Sequence, residues 1–399
     1  MTLSRLLAVT GCFLAGAALC LGETFLVLPF FNQTTNKNLD WIGESIGENV
    51  REALVAEGAL AIDREKRGEA YSRLTVRPYA LLTRATVLKI AQMLDADKVI
   101  YGQFELETGS KTPAGSRGTL RITAQILDVG NLRRGPDFIA LGALEDLAAL
   151  QTHLAWQTLQ FVMPETSPSE EEFRRRRPPV RVDAMEHYIR GLLSSNDEQK
   201  QRFLQQAAKL DPAFAPPCLE LGRYYSDKED YQNASLWLAR VGPLDNHYLE
   251  ATFLRGVARY ELKDFAGARA AFETVLKDAP LNEVHNNLGS ALIETNPVEA
   301  AIHFSKALEG DPNDPLYHFN LGYARWKGGD MAGAAASFRA ALERDPEDEE
   351  TKDLLSRAER GVSPLAADPK TSGLERLKYE FELSAYLQLR AILEGGKKE

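Results

Sequence analysis

Cysteine is almost missing from this sequence of 399 residues: Cys12, Cys20 and Cys218 are all it has. Residues 1–22 read as an export signal, with Arg5 as the only charge, an apolar run over 6–21 and small residues around a cut after Gly22. Cleavage there leaves Cys218 alone, which excludes an internal disulfide framework and leaves packing to hold the fold. Cys218 sits one turn before Gly222 and reads as a small buried apolar residue. The apolar run is shorter than the roughly 20 residues of a membrane span, and a retained signal anchor is the alternative. Val9-Thr10-Gly11-Cys12 has the form of a lipoprotein box, but only five residues, 6–10, precede its Gly-Cys, so it reads as a chance match.

The usual marks of chemistry are also lacking. Six histidines form no His-x-x-x-His or His-Glu-x-x-His spacing, and no Cys-x-x-Cys exists, so no metal centre or cofactor is expected. His285 and His318 each fall four residues before a recurring glycine and read as structural. The segment from Gly43 to Gly47 lacks the Lys-Ser/Thr of a phosphate loop and lies within a helical pattern. No serine stands in a Gly-x-Ser-x-Gly elbow. The formal net charge of −10 argues against nucleic acid, which needs a basic footprint. A non-enzymatic protein is expected.

What the sequence does hold is a period. Gly222, Gly256, Gly289 and Gly322 are 34, 33 and 33 residues apart, each in the same local pattern. The last copy is the clearest: Leu321-Gly322 on one helix, Ala334, Phe338 and Ala341 as a stripe on the next, then Asp345-Pro346 to end it. The pattern recurs as Gly256 with Ala268, Phe272, Val275 and Pro280, and as Leu288-Gly289 with Ala300, Phe304, Ala307 and Pro312. Leu221-Gly222 with Ala234 lacks the closing proline and runs through Val241-Gly242-Pro243, while the Gly289 copy is one residue short at Thr295-Asn296-Pro297. A weaker unit, Gly191 with Leu204, Ala207 and Asp211-Pro212, precedes them. Such a period marks a helix–turn–helix solenoid, and on these residues 184–361 resembles the tetratricopeptide repeat.

Residues 23–163 do not repeat. Strands are expected over 24–30, 60–63, 98–106, 119–129 and 137–142, and helices over 39–57, 82–94 and 144–162, with a polar loop at 109–118. Phe25-Leu26-Val27-Leu28-Pro29-Phe30-Phe31-Asn32, Gly43-Glu44-Ser45-Ile46-Gly47, Ala91-Gln92-Met93-Leu94-Asp95-Ala96-Asp97, Val99-Ile100-Tyr101-Gly102 and the run from Leu120 to Asp128 resemble the TolB amino-terminal domain. That resemblance implies a mixed α/β binding or assembly module working beside other envelope components, without catalytic residues. Residues 164–183, with Glu170-Glu171-Glu172 before Arg174-Arg175-Arg176-Arg177, read as a solvated charged linker, or else a docking patch for anionic lipid or an acidic partner. The expected fold is thus multidomain, a mixed α/β N-terminal domain followed by an all-α tetratricopeptide-repeat solenoid.

Carried over by repeat phase, the resemblance implies a concave groove lined by Arg223 and Asp227, by Phe253, Tyr260 and Glu261, by Asn286, Ser290, Ile293 and Glu294, and by Phe319, Tyr323, Trp326 and Lys327. Its aromatic end suits an anchor for a partner. It lacks the Lys/Arg/Asn cluster that clamps a peptide carboxylate in chaperone-binding members, so a carboxyl-terminal ligand is not implied. Residues 374–394 form a helical pattern through Leu377, Phe381, Tyr386, Leu387 and Ile392, read as a cap on the last repeat, with occupancy of the groove as the alternative. The function expected is an interaction scaffold of the bacterial cell envelope, periplasmic after export, that holds a protein or peptide partner and involves no nucleic acid or small-molecule substrate. A membrane-anchored regulator and an enzyme with an unrecognised site in the N-terminal domain are the rivals.

Overall fold

The computed structural model describes residues 23–107, 118–364, 371–383, 386, 387 and 390; residues 1–22, expected as an export signal, and nearly all of the 109–118 loop lie outside the described residues. The N-terminal region is a mixed sheet of β1 (Thr24–Val27), β2 (Phe31–Asn32), β3 (Leu60–Ala61), β4 (Lys98–Glu107), β5 (Thr119–Asp128) and β6 (Arg133–Ala143). The order is β3-β1-β4-β5-β6, with β2 pairing on β4. β1 is parallel to β3 and β4, whereas β4, β5 and β6 form an antiparallel meander.

The continuous apolar run of β1 is explained by burial on both faces. Phe25 and Val27 face helices α1 (Asp40–Ala56) and α4 (Leu147–Val162), while Leu26 and Leu28 face α2 (Arg64–Arg73) and α3 (Arg84–Met93). Along β5 the alternation Leu120, Ile122, Ala124 points to the α1/α4 side and Leu127 to the other. The glycines of α1 serve close packing. A Cβ on Gly43 would stand 1.9 Å from the Phe30 carbonyl oxygen, so no other residue lets α1 press onto the chain there. Helix α2 was not expected from the sequence. It is highly polar and buries only Arg67 and Ala70, with Arg67 paired to Glu44 and donating to the Val27 carbonyl at 3.2 Å.

The segment 164–183, expected as a solvated linker, is exposed or half-buried except at one anchoring residue. It contains a short helix, α5 (Glu170–Arg175), whose Phe173 is fully buried against the sheet region. The Arg177 guanidinium lies over the Phe173 ring at 3.8 Å and reaches Glu57 at 3.5 Å. Phe173 in the middle of the charge run anchors it, Arg176 and Arg177 reach Glu57 across the joint, and Arg174 and Arg176 pair within the run with Glu170 and Glu172.

From Val182 to Glu359 the chain is helical: α6 (Val182–Leu193), α7 (Asp197–Leu210), α8 (Pro216–Asp227), α9 (Tyr231–Leu238), α10 (Tyr248–Glu261), α11 (Phe265–Leu276), α12 (Asn282–Leu292), α13 (Pro297–Gly310), α14 (Pro315–Lys327), α15 (Met331–Arg344) and α16 (Glu349–Glu359). The second helix of each of four repeats starts on a side-chain cap: Asp230, Asp264, Asn296 and Asp330 each accept from the amide three residues on. Asn296 and Pro297 thus restart the helix where the repeat is one residue short. A Cβ on Gly222, Gly256, Gly289 or Gly322 would meet Leu238, Phe272, Phe304 or Phe338 within 2.8 Å, which explains the period. The first helix of the array, α6, shares one apolar core with α1: Met185, Tyr188, Ile189 and Leu192 pack with Trp41, Ile42 and Ile46.

Candidate functional site

The first helices of the repeats, α10, α12 and α14, face a segment that belongs to none of them. Residues 374–382 are extended rather than helical and lie along the groove. This corrects the expected helix over 374–394 for its first nine residues; of the remainder, only 383, 386, 387 and 390 are described. The reason is visible in the main-chain partners. Asn320 donates through Nδ2 to the Arg376 carbonyl at 2.7 Å and accepts the Arg376 amide at 2.8 Å. Asn287 repeats the arrangement two residues on, donating to the Lys378 carbonyl at 2.7 Å and accepting its amide at 2.8 Å. Asn286 donates to the Arg376 carbonyl at 2.9 Å and accepts from Asn320 at 2.8 Å, tying the two clamps together. Carboxamide side chains here take the place of a neighbouring β-strand.

Side chains of the segment divide by parity, as in a strand. Odd-numbered residues look to α10: Glu375 accepts from the Tyr260 hydroxyl, Tyr379 donates to Glu261 at 2.6 Å, and Phe381 stacks on Phe253 at 4.8 Å between centroids. Even-numbered residues look to α14 and the start of α16. The Arg376 guanidinium lies 3.6 Å over the Phe319 ring and pairs with Asp348 at 2.6 Å and Glu350 at 3.0 Å. Lys378 pairs with Asp314 and lies over the Tyr317 ring. Glu375 and Leu377 are buried, and Tyr323 anchors the start of the segment by donating to the Thr371 carbonyl at 2.9 Å.

Burial raises the Glu375 carboxyl above the ordinary carboxylate range, against the Tyr260 hydrogen bond. It would also raise Asp348, but hydrogen bonds from Arg376 and Thr351 outweigh it and bring that carboxyl down to about 2. Arg376 therefore meets a charged partner.

Of the residues expected at the groove, Phe253, Tyr260, Glu261, Asn286, Phe319 and Tyr323 touch the segment. Trp326 is fully buried and donates to the Val362 carbonyl at 2.7 Å, beyond α16. Ile293 lies in the repeat core, and Ser290 is buried and bonds back to the Asn286 carbonyl at 3.1 Å. Glu294 and Lys327 pair with each other. Arg223 and Asp227 line a cavity of about 600 Å³ where the segment ends, with Glu250, Tyr231 and residues 379–382. The sequence reading missed Asn287, Asn320, Asp314, Asp348 and Glu350. A signal for two of them was there: Asn287-Leu288-Gly289 and Asn320-Leu321-Gly322 are the same tripeptide in successive repeats.

A tetratricopeptide-repeat family model matches residues 219–283, 253–315 and 286–349, so the helical array carries tetratricopeptide repeats. Among solved structures, YrrB, described as a TPR protein with an unusual peptide-binding site, is 20% identical, covering 45% of this chain and 92% of its own, at TM-score 0.39. The 41-end portion of MamA from Desulfovibrio magneticus RS-1 is 23% identical, covering 42% and 97%, at TM-score 0.38. No curated protein matches the chain.

Proposed function

We propose that the protein is a non-enzymatic interaction scaffold of a bacterial cell envelope, exported by residues 1–22, which holds a protein segment in the concave groove of its repeats. Tetratricopeptide-repeat proteins are generally interaction scaffolds, and this supports the class. The observation that carries the reading is the paired Asn287 and Asn320 clamps, which grip extended main chain rather than a folded surface. Main-chain recognition supplies affinity for any extended segment, and the pockets between the clamps supply selection. The sheet region shares its core with α6 and, in this reading, is a TolB-like assembly module that fixes the solenoid relative to its surroundings.

The test uses the full chain as bait in envelope extract, compared with Asn287→Ala and Asn320→Ala. A partner enriched by the wild type and lost with both variants supports the proposal. Equal recovery by all three contradicts a groove-bound partner. Export is tested separately by sequencing the mature N-terminus, which should begin near Glu23 in the periplasmic fraction. An intact Met1 in the membrane fraction would favour the anchor.

A further inference from the structure

We infer that the groove selects extended segments with basic residues at positions i and i+2 and an aromatic residue at i+5, and that the chain's own Arg376, Lys378 and Phe381 hold this place until a partner segment displaces them. The inference rests on the groove reading above and adds to it the chemistry of the occupant and the presence of an internal competitor.

Three observations converge on it. Acidic groups Asp314, Asp348 and Glu350 come from two different helix starts, yet all face the even-numbered side of the occupant. Aromatic rings lie beneath both cations, Phe319 under Arg376 and Tyr317 under Lys378, so each basic side chain is read by charge and by a π face together. Phe253 receives the occupant's aromatic residue in a parallel stack, with planes 15° apart. These features recognise spacing: the clamps fix the main chain at Arg376 and Lys378, so a basic residue one position away would point to the opposite wall.

The occupant differs from the rest of the array. The solenoid helices bury their stripes against one another, whereas residues 374–381 add to that core only Leu377, with Leu374 and Phe381 packed beside it, and are otherwise held by side chains acting on their main chain and by ion pairs at the rim. Such a segment can leave without unfolding a repeat. Because it is covalently joined to α16, its local concentration in the groove is on the order of millimolar for a short tether. A free segment of equal intrinsic affinity is outcompeted, and its apparent affinity falls by the fraction of grooves left open. The cavity around Arg223 and Glu250 lies at the Phe381 end of the segment, where a longer partner segment would continue.

The experiment measures binding of a fluorescein-labelled synthetic peptide with the sequence of residues 371–383 to the full chain by anisotropy. In a chain carrying Arg376→Glu and Lys378→Glu, which releases the internal segment, the peptide should bind at least tenfold tighter than to wild type; Arg376→Ala serves as a milder release, and circular dichroism verifies the fold of each. Adding Asn287→Ala and Asn320→Ala to the released chain should remove that gain. A peptide with both basic residues replaced by Glu should bind at least tenfold more weakly to the released chain. Equal affinity of wild type and released chains for the peptide overturns the internal competitor. Equal affinity for both peptides overturns the selection; if that binding still needs Asn320, the groove remains a peptide site and only this inference fails. A wild type that sediments as a dimer and a released chain that sediments as a monomer would place the segment in a second copy's groove and overturn the assignment within one chain.

Discussion

Asn320 holds Arg376 by both halves of its peptide unit, with the carboxamide nitrogen 2.7 Å from the carbonyl oxygen and the carboxamide oxygen 2.8 Å from the amide nitrogen. The residues are 56 apart in sequence, and the same pairing joins Asn287 to Lys378 across 91. Two such clamps define a short track on which an extended chain has one register.

Trp326, which the sequence offered as a partner anchor, is a core residue. Its side chain is fully buried and its indole N–H is satisfied by Val362. Trp326→Ala should lower stability by about 3–5 kcal/mol, the usual cost of deleting a buried large aromatic. Chemical denaturation of the two proteins measures it; an unchanged midpoint would return Trp326 to the groove surface.

Docking of the tail should depend on pH through Glu375. Burial raises its carboxyl, with Tyr260 on α10, Glu294 after α12 and Lys327 on α14 around it. A raised carboxyl favours the docked state when protonated. The contribution of Glu375 to docking is therefore fully present below the ordinary carboxylate value of about 4.3 and is lost as pH rises through the raised value. That of Asp348, held against burial down to about 2 by Arg376 and Thr351, is lost only as pH falls toward that lower value. Glu375→Gln should flatten this dependence, read as proteolytic sensitivity of residues 371–383 across the titration. A variant that titrates like wild type would assign the effect to another group.

The imidazoles of His285 and His303 meet at 3.1 Å between their Nδ1 atoms. Burial, followed by the neighbouring His303 and Lys306 charges, depresses His285 to about 4, and His303 is also lowered. A depressed imidazole binds its proton more readily when unfolded. Stability from this pair is present above about pH 6.5 and lost as pH falls toward the depressed value. The melting temperature should drop between these limits, by less in His285→Gln. An equal drop in both proteins would remove the pair as its source.

The sheet region and the solenoid should not behave as independent units. Met185, Tyr188, Ile189 and Leu192 on α6 are at most 7% exposed in a core shared with α1, and each such side chain contributes about 1.5–3 kcal/mol. Arg190 also donates to the Asn38 carbonyl at 3.1 Å. The fragment 184–399 should melt well below the full chain by calorimetry. Equal melting temperatures would show that the shared core contributes nothing.

The repeats were legible because their signal is local and periodic: a glycine on one helix faces a Phe or Leu on the next, and each repeat spells out both. The strands were legible where burial on one or two faces wrote alternation or a continuous run, as in β5 and β1. Helix α2 was not, because it buries one small apolar residue, Ala70, and otherwise holds through Arg67, which pairs with Glu44 on α1 and donates to the Val27 carbonyl, rather than through an apolar stripe. Phe173 was hidden by the charges on either side of it. The tail misled for a sharper reason. Leu374, Leu377 and Phe381 have helical spacing, while Glu375, Arg376, Lys378 and Tyr379 alternate toward two walls; both patterns are present in the same residues. What decides between them is the row of asparagines on α12 and α14, distant in sequence from the segment they hold.

The most direct measurement is hydrogen exchange at single-residue resolution on the full chain, at the amides of Arg376 and Lys378. If the clamps hold the segment, both amides are protected in the wild type. Asn320→Ala should then speed exchange at Arg376 by about tenfold or more, on the scale of a buried hydrogen bond worth about 1–3 kcal/mol. Amides in the core of α12 should be unaffected. Exchange of Arg376 and Lys378 at the rate of free peptide in the wild type would contradict the account.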